Sequence, residues 1–157
     1  MLHKIHYVTM GYVCIVLACA LQMYLIEGVH IMNKKYSIMV VDDDPLIGGM
    51  ISRYLDEKSG FEVRYFEDPK QALKQVVKQR PDMIILDWAM PKLSGLQFLL
   101  RLRKNKKIMD TPVFMLTAKR TGGDFETACT AGVDGYLTKP VDFNQLNNRI
   151  VGYFANA

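Results

Sequence analysis

Three short runs, "SIMVV" at 37–41, "DMIILD" at 82–87 and "PVFMLT" at 112–117, are apolar almost without a break and are separated by long amphipathic stretches. A strand wetted on one side alternates apolar and polar residues; a run without alternation is covered on both faces. Strands of that kind belong to parallel sheets, whose connections must travel back along the sheet, usually as a helix.

The stretches between the runs have the spacing such helices need. "PLIGGMISRYLDEKSG" (45–60) puts Leu46, Ile47, Met50, Ile51, Tyr54 and Leu55 on one stripe, with Pro45 suited to a first turn and Gly60 to a stop. "PKQALKQVVKQR" (69–80) predicts a helix with Ala72, Leu73, Val76 and Val77 facing in. "GLQFLLRLRKN" (95–105), "DFETACTAG" (124–132) and "FNQLNNRIVGYF" (143–154) complete the helices. "EVRYF" (62–66) alternates as a strand near a sheet edge does, and "GYLTKP" (135–140) holds the last strand. Five strands and five helices in strict alternation predict an α/β fold: a doubly wound, five-stranded parallel sheet with right-handed crossovers and helices on both faces.

The rest of the sequence adds bounds. A chain of 157 residues with 50% hydrophobic and 23% charged residues has the length and composition of one folded domain. The net charge of +4 comes from beyond residue 31, since Lys4 and Glu27 cancel in the first part. The one dense basic stretch, "RLRKNKK" (101–107), reads as a solvated helix C-terminus, where cations complement the helix dipole. With no aromatic residues interleaved for stacking, no direct nucleic-acid binding is expected. Cys14, Cys19 and Cys129 lack metal-ligand spacing, which argues against a zinc site or a disulfide framework; Cys129 is expected as a small buried residue.

Residues 7–26 carry no charge, and only Thr9, Gly11 and Gln22 fall outside the apolar and aromatic set. Such a segment is long enough to span a bilayer. It reads as a membrane anchor, as a cleaved signal, or as the product of a start upstream of a true initiator at Met32. The boundary is drawn there, with a hydrophobic leader at 1–31 and a domain at 32–157. The expected location is cytoplasmic, tethered to the inner membrane face if residues 7–26 are an anchor.

In an open parallel sheet the site lies at the C-terminal edge of the strands. Asp42, Asp43 and Asp44 follow the first strand, Asp87 ends the third, Thr117 the fourth and Lys139 the fifth. Several carboxylates at one edge cannot all ionise without a cation. Oxygen ligands without histidine or thiol point to a hard ion, Mg²⁺. Asp87 can act as a nucleophile toward a phosphoryl group, Thr117 can donate a hydrogen bond to a phosphoryl oxygen, and Lys139 can neutralise another. Asp44 reads as the N-cap of the helix entered at Pro45.

These residues match a family. From Met32 onward, "VVDDDP", "DMIILDWAMPKLSG", "PVFMLTA" and "GYLTKP" resemble the receiver domain of two-component response regulators, in particular the stand-alone chemotaxis type. The resemblance implies a flavodoxin-like fold with strand order 2-1-3-4-5. It makes Asp87 the phosphoacceptor, places Mg²⁺ on Asp42, Asp43, Asp87 and the Ala89 carbonyl, and makes Thr117 and Tyr136 the switch pair. Lys139 becomes the lysine that pairs with the phosphoryl group, followed by a cis bond to Pro140. The implied partners are a sensor histidine kinase or phosphotransfer protein and, since the chain stops just past the fifth helix, a separate output protein; a relay or sink for phosphoryl groups is the variant reading. The catalysis implied is limited to self-phosphorylation and self-dephosphorylation. Two departures bear on the lifetime of the phosphorylated state: Ala89 has no polar side chain, and Lys119 is basic. Gly48 and Gly49 sit inside the first helix, and their missing side chains are expected to let a kinase helix approach; alanine at both should leave folding intact.

A rival is a Mg²⁺-dependent phosphatase of haloacid dehalogenase type, with Asp42 as nucleophile in Asp42-x-Asp44. Pro45 and Leu46 replace the residues usual after that motif, and the Asp87 loop has no part in it.

Overall fold

The computed structural model describes residues 35–118 and 122–156. The expectations for residues 1–31 and for Lys119 lie outside the described residues. Strands and helices alternate as β1 (Ser37–Val41), α1 (Pro45–Ser59), β2 (Glu62–Phe66), α2 (Pro69–Lys78), β3 (Met83–Asp87), α3 (Gly95–Lys104), β4 (Val113–Thr117), α4 (Gly122–Thr130), β5 (Gly135–Thr138) and α5 (Phe143–Ala155). The sheet is parallel throughout, in the order β2-β1-β3-β4-β5. Among the described residues, no helix is long and apolar enough to cross a membrane.

Every residue of β3 and β4 is buried, and β1 is buried from Ile38 onward. β2, at the sheet edge, is only half-buried, in keeping with its alternation. The two faces of the sheet carry separate cores. Met39, Val41, Ile84, Leu86, Val113 and Met115 pack with Phe98, Leu99 and Val76 on the α2–α3 side. Ile38, Val40, Ile85, Phe114, Leu116 and Leu137 pack with Ile51, Leu55, Leu146 and Ile150 on the α1–α5 side. Alternation along each strand therefore decides which layer a residue joins.

Helix ends follow local chemistry. Asp44, Asp68, Ser94 and Asp142 cap α1, α2, α3 and α5 with side-chain oxygens that accept backbone N–H groups of the first turn. Ser94 and Gln97 form a capping box. Gly60, at φ 69°, closes α1 in the left-handed region.

Three inward-facing expectations need correction. On α1, Leu46 is 69% exposed and Met50 49%, while Gly48, Ile51 and Leu55 are buried. The predicted stripe was too wide, and its true centre is rotated toward Gly48, which faces the edge strand. On α2, Val77 is 48% exposed, because the buried arc is centred on Ala72 and Val76. Cys129 is exposed, and its neighbour Ala128 is buried. Each error is a helical rotation of about 100°, one residue's worth.

Candidate functional site

β1 and β3 are neighbours in register, with Val41 opposite Leu86. Continuing one step brings Asp42 level with Asp87. Asp42 shares the parity of Val40, Asp87 that of Ile85, and Lys139 that of Leu137, so all three continue the α1–α5 face of the sheet. Asp42 is fully buried and Asp87 is 4% exposed. Asp42, Asp43 and Asp87 each offer a carboxylate oxygen, and the three oxygens lie within 4.8 Å of one another.

Lys139 is the counterion within this group. Its Nζ stands 2.8 Å from Asp42 Oδ2 and 2.7 Å from Asp87 Oδ1. The second Asp87 oxygen accepts the Ala89 N–H at 2.9 Å, and Asp42 Oδ1 accepts the Asp44 N–H at 3.0 Å. Burial pushes the Asp42 carboxyl above its ordinary range; its hydrogen bonds from Lys139 and Asp44 oppose this without cancelling it. Burial alone would lower the Lys139 ammonium, but its hydrogen bonds to Asp42 and Asp87 and their charges outweigh it, and its pKa lies above that of a free lysine. The donor set is carboxylate oxygen alone, with one exposed member in Asp43, and it suits a hard divalent cation such as Mg²⁺.

Asp44 is not part of this group. Its Oδ1 accepts the N–H groups of Leu46 and Ile47 at 2.9 and 3.3 Å, capping α1. The Asp42-x-Asp44 pair on which the phosphatase reading depends is thus split between a pocket and a helix cap.

Thr117 ends β4, 1% exposed, and its carbonyl accepts the Lys139 N–H at 2.7 Å. It has the parity of Met115, which is opposite Tyr136 in β5. Thr117 and Tyr136 therefore lie on the α2–α3 side of the sheet, where Tyr136 packs half-buried against the core. The Lys139–Pro140 peptide is cis.

Three residues have packing roles that the sequence pattern does not state. Tyr65, on β2, donates its hydroxyl to the Asp42 carbonyl at 2.9 Å. Burial, then the charge of Glu67 and of the three aspartates, pushes its phenol up to about 12. Its ring fills the space beside Gly48, where a Cβ would stand 2.2 Å from Tyr65 Cε2. Gly48 is therefore a packing requirement of the fold, not an opening for a partner helix. Gly49 does face open space. The signal was present as a buried-side glycine facing an aromatic on an edge strand. The second is Gly95, the glycine of the "DWAMPKLSG" segment. A Cβ there would stand 2.2 Å from the Asp87 carbonyl oxygen, and its N–H donates to the Trp88 carbonyl at 2.9 Å. Only glycine lets the start of α3 close the loop that carries Asp87.

The third is Arg103, which the sequence placed in a solvated helix end. Its guanidinium instead donates to the carbonyls of Met109, Thr111 and Gly132 and to the Asp134 carboxylate, at 2.7 to 3.0 Å. It clips the loop before β4 to the loop before β5.

Residues 38–151 match the family model described as response regulator receiver domain. The chain is 39% identical over 119 residues to the alkaline phosphatase synthesis transcriptional regulatory protein PhoP of Bacillus subtilis (strain 168), covering 76% of this chain and 48% of that protein. It spans about half the length of the curated relatives it matches. Among solved structures, the receiver domain of the Francisella response regulator 1452 superposes with a TM-score of 0.70 at 32% identity, covering 77% of this chain and 97% of that one. The Vibrio cholerae chemotaxis protein CheY4 superposes with a TM-score of 0.70 at 30% identity, covering 74% and 97%. With the strand order, the acidic edge and these likenesses in agreement, the chain belongs to the receiver domain family of two-component response regulators.

Proposed function

We propose that this domain is a phosphoryl-accepting switch in which Asp87 takes a phosphoryl group from a phosphohistidine on a sensor kinase or phosphotransfer protein. The observation that supports it most is the Asp87 carboxylate, buried at the strand edge, with Lys139 on one oxygen, the Ala89 N–H on the other, and two further carboxylates beside it. A nucleophilic carboxylate needs its orientation fixed, and these two contacts hold both of its oxygens.

In the step itself, an Asp87 oxygen forms a bond to phosphorus as the phosphorus–nitrogen bond of the phosphohistidine breaks. The bonding pair leaves with the imidazole, and the product is an aspartyl phosphate. Asp42, Asp43, Asp87 and the Ala89 carbonyl would hold Mg²⁺, which would supply charge neutralisation for the phosphoryl oxygens. Lys139, already beside Asp87, pairs with one phosphoryl oxygen and Thr117 donates its hydroxyl to another. The new dianion thereby draws Thr117 toward the strand edge, and Tyr136 on the same face turns inward in response. The altered surface then favours a different binding partner.

The test is to incubate the full chain with Mg²⁺ and acetyl phosphate and to measure intact mass. One phosphoryl adduct is expected on the native protein and none on Asp87→Asn. An adduct that survives Asp87→Asn, or turnover of a phosphate ester that needs Asp42 but not Asp87, would refute the assignment.

A further inference from the structure

Away from the acidic edge, α2 and α3 leave a groove of about 410 Å³ between them. Its floor is apolar: Leu73 and Val77 on α2, and Ile108 just past α3. Its rim is cationic: Lys70 and Lys74 on α2, and Arg101 on α3. Lys70, Leu73, Lys74 and Val77 follow one another at the spacing of a single helical stripe, and Arg101 on α3 and Ile108 in the turn beyond it form the opposite wall. Two such stripes side by side make a trough of the shape that receives an amphipathic helix.

Charge selects the occupant. Residues 69–78 and 95–108 hold Lys70, Lys74, Lys78, Arg101, Arg103, Lys104, Lys106 and Lys107 and no aspartate or glutamate. Of these, Arg103 is engaged by Asp134; among the described residues no ion pair joins Lys70, Lys74 or Arg101 to a carboxylate. The exposed Val77 side chain gives the trough an apolar contact that a nucleic-acid backbone would leave unfilled, and no aromatic residue lines it for base stacking. Two of this chain's own segments do not match. Residues 1–31 carry the single carboxylate Glu27, and on α1 Asp56 and Glu57 are balanced by Arg53 and Lys58.

We infer that the α2–α3 groove docks an acidic amphipathic helix of a separate protein, its apolar stripe on Leu73 and Val77 above the buried Ile108 and its flanking carboxylates on Lys70, Lys74 and Arg101. This surface is distinct from the Asp87 pocket and does not depend on phosphorylation of that residue.

The test uses the full chain and a fluorescein-labelled synthetic helix with leucines at i, i+3, i+4 and i+7 and glutamates on both flanks, read by fluorescence anisotropy. A scrambled peptide of the same composition is the control. The amphipathic peptide is expected to bind roughly tenfold or more tightly than its scramble, a difference of about 1.4 kcal/mol. Lys74→Glu combined with Arg101→Glu, and separately Val77→Ser, should each weaken binding by about the same factor. These residues are exposed, so circular dichroism and phosphoryl uptake at Asp87 should match the native chain. Equal binding of the scramble would reduce the groove to unspecific attraction and overturn the inference. So would native-like binding by the variants. Labelled duplex DNA or phosphatidylglycerol vesicles that bind through Lys74 and Arg101 while the peptide does not would overturn it in favour of those ligands.

Discussion

Gly48 and Gly49 are neighbours on one helix and should respond to alanine in opposite directions. Both substitutions relieve the unfolded chain of glycine's freedom, which favours the helix by about 1 kcal/mol each. At Gly49 nothing lies within 4 Å of the new methyl, so that gain stands. At Gly48 the methyl would lie 2.2, 2.7 and 3.0 Å from three ring atoms of Tyr65. The ring cannot swing away freely, because its hydroxyl is bonded to the Asp42 carbonyl at 2.9 Å. Overpacking of this kind costs about 1–3 kcal/mol, and loss of the hydrogen bond adds about 1. The net expectation is a destabilisation of about 1–3 kcal/mol for Gly48→Ala against a gain of up to about 1 for Gly49→Ala. Urea titration followed by far-UV circular dichroism measures both, provided the slope with denaturant is unchanged. A double-mutant cycle assigns the cause: with Tyr65→Ala in place, Gly48→Ala should lose its penalty and become mildly stabilising. The reasoning fails if Gly48→Ala costs the same with and without the Tyr65 ring, or if the two glycine variants are equally stable.

Other perturbations follow from the same geometry. Arg103→Lys should destabilise by about 1–3 kcal/mol in urea titration, since an ammonium cannot serve three carbonyls and a carboxylate held in a planar fork. Mg²⁺ should raise the melting temperature of the native chain, with a stabilisation of about 2.7 kcal/mol at a hundredfold excess over its dissociation constant, and Asp43→Asn should shrink the response. Tyr153 offers a pH test: burial, then the charge of Asp134, raises its phenol above the ordinary 10.0, against the opposing effect of Arg103. The folded state therefore prefers the neutral phenol; this stabilisation is complete below the ordinary value and is lost as pH rises through the folded one. As pH rises above the ordinary value of 10.0, stability curves for Tyr153→Phe should fall less steeply than those of the native chain.

The strands were readable because burial on both faces leaves a mark that needs no partner information: "MVV", "MIIL" and "VFML" are apolar at every position. Asp42, Asp87 and Thr117 were readable for a related reason, since each is the first polar residue after such a run, whereas Lys139 follows Thr138 on a shorter strand. The rotation of a helix about its axis is written less clearly. Leu46 and Met50 are as apolar as Ile51, yet the helix buries Ile51 and Leu55 in the core and turns Gly48 toward the Tyr65 ring on β2. Arg103 was hidden for the same cause. Its partners, Met109, Thr111, Gly132 and Asp134, come from two loops whose meeting depends on the placement of β4 beside β5. Sequence pattern reports the environment of a residue along its own element; contacts between elements require the assembled sheet.

That assembly also separates the two halves of the proposed switch. Asp42, Asp87 and Lys139 continue the α1–α5 face, whereas Thr117 and Tyr136 lie on the α2–α3 side. They meet at the end of β4, where the Thr117 carbonyl holds the Lys139 N–H at 2.7 Å. A phosphoryl group on Asp87 would recruit the Lys139 ammonium and the Thr117 hydroxyl from opposite sides of the sheet, through residues whose backbones are already hydrogen-bonded. The response should therefore run along β4 and β5 to Tyr136 while the α1 core, anchored by Ile51 and Leu55, stays in place. Amide chemical-shift changes on phosphorylation should cluster at 113–118 and 135–140 and be small at 51–59. Equal changes on both faces would show that the sheet does not divide the signal in this way.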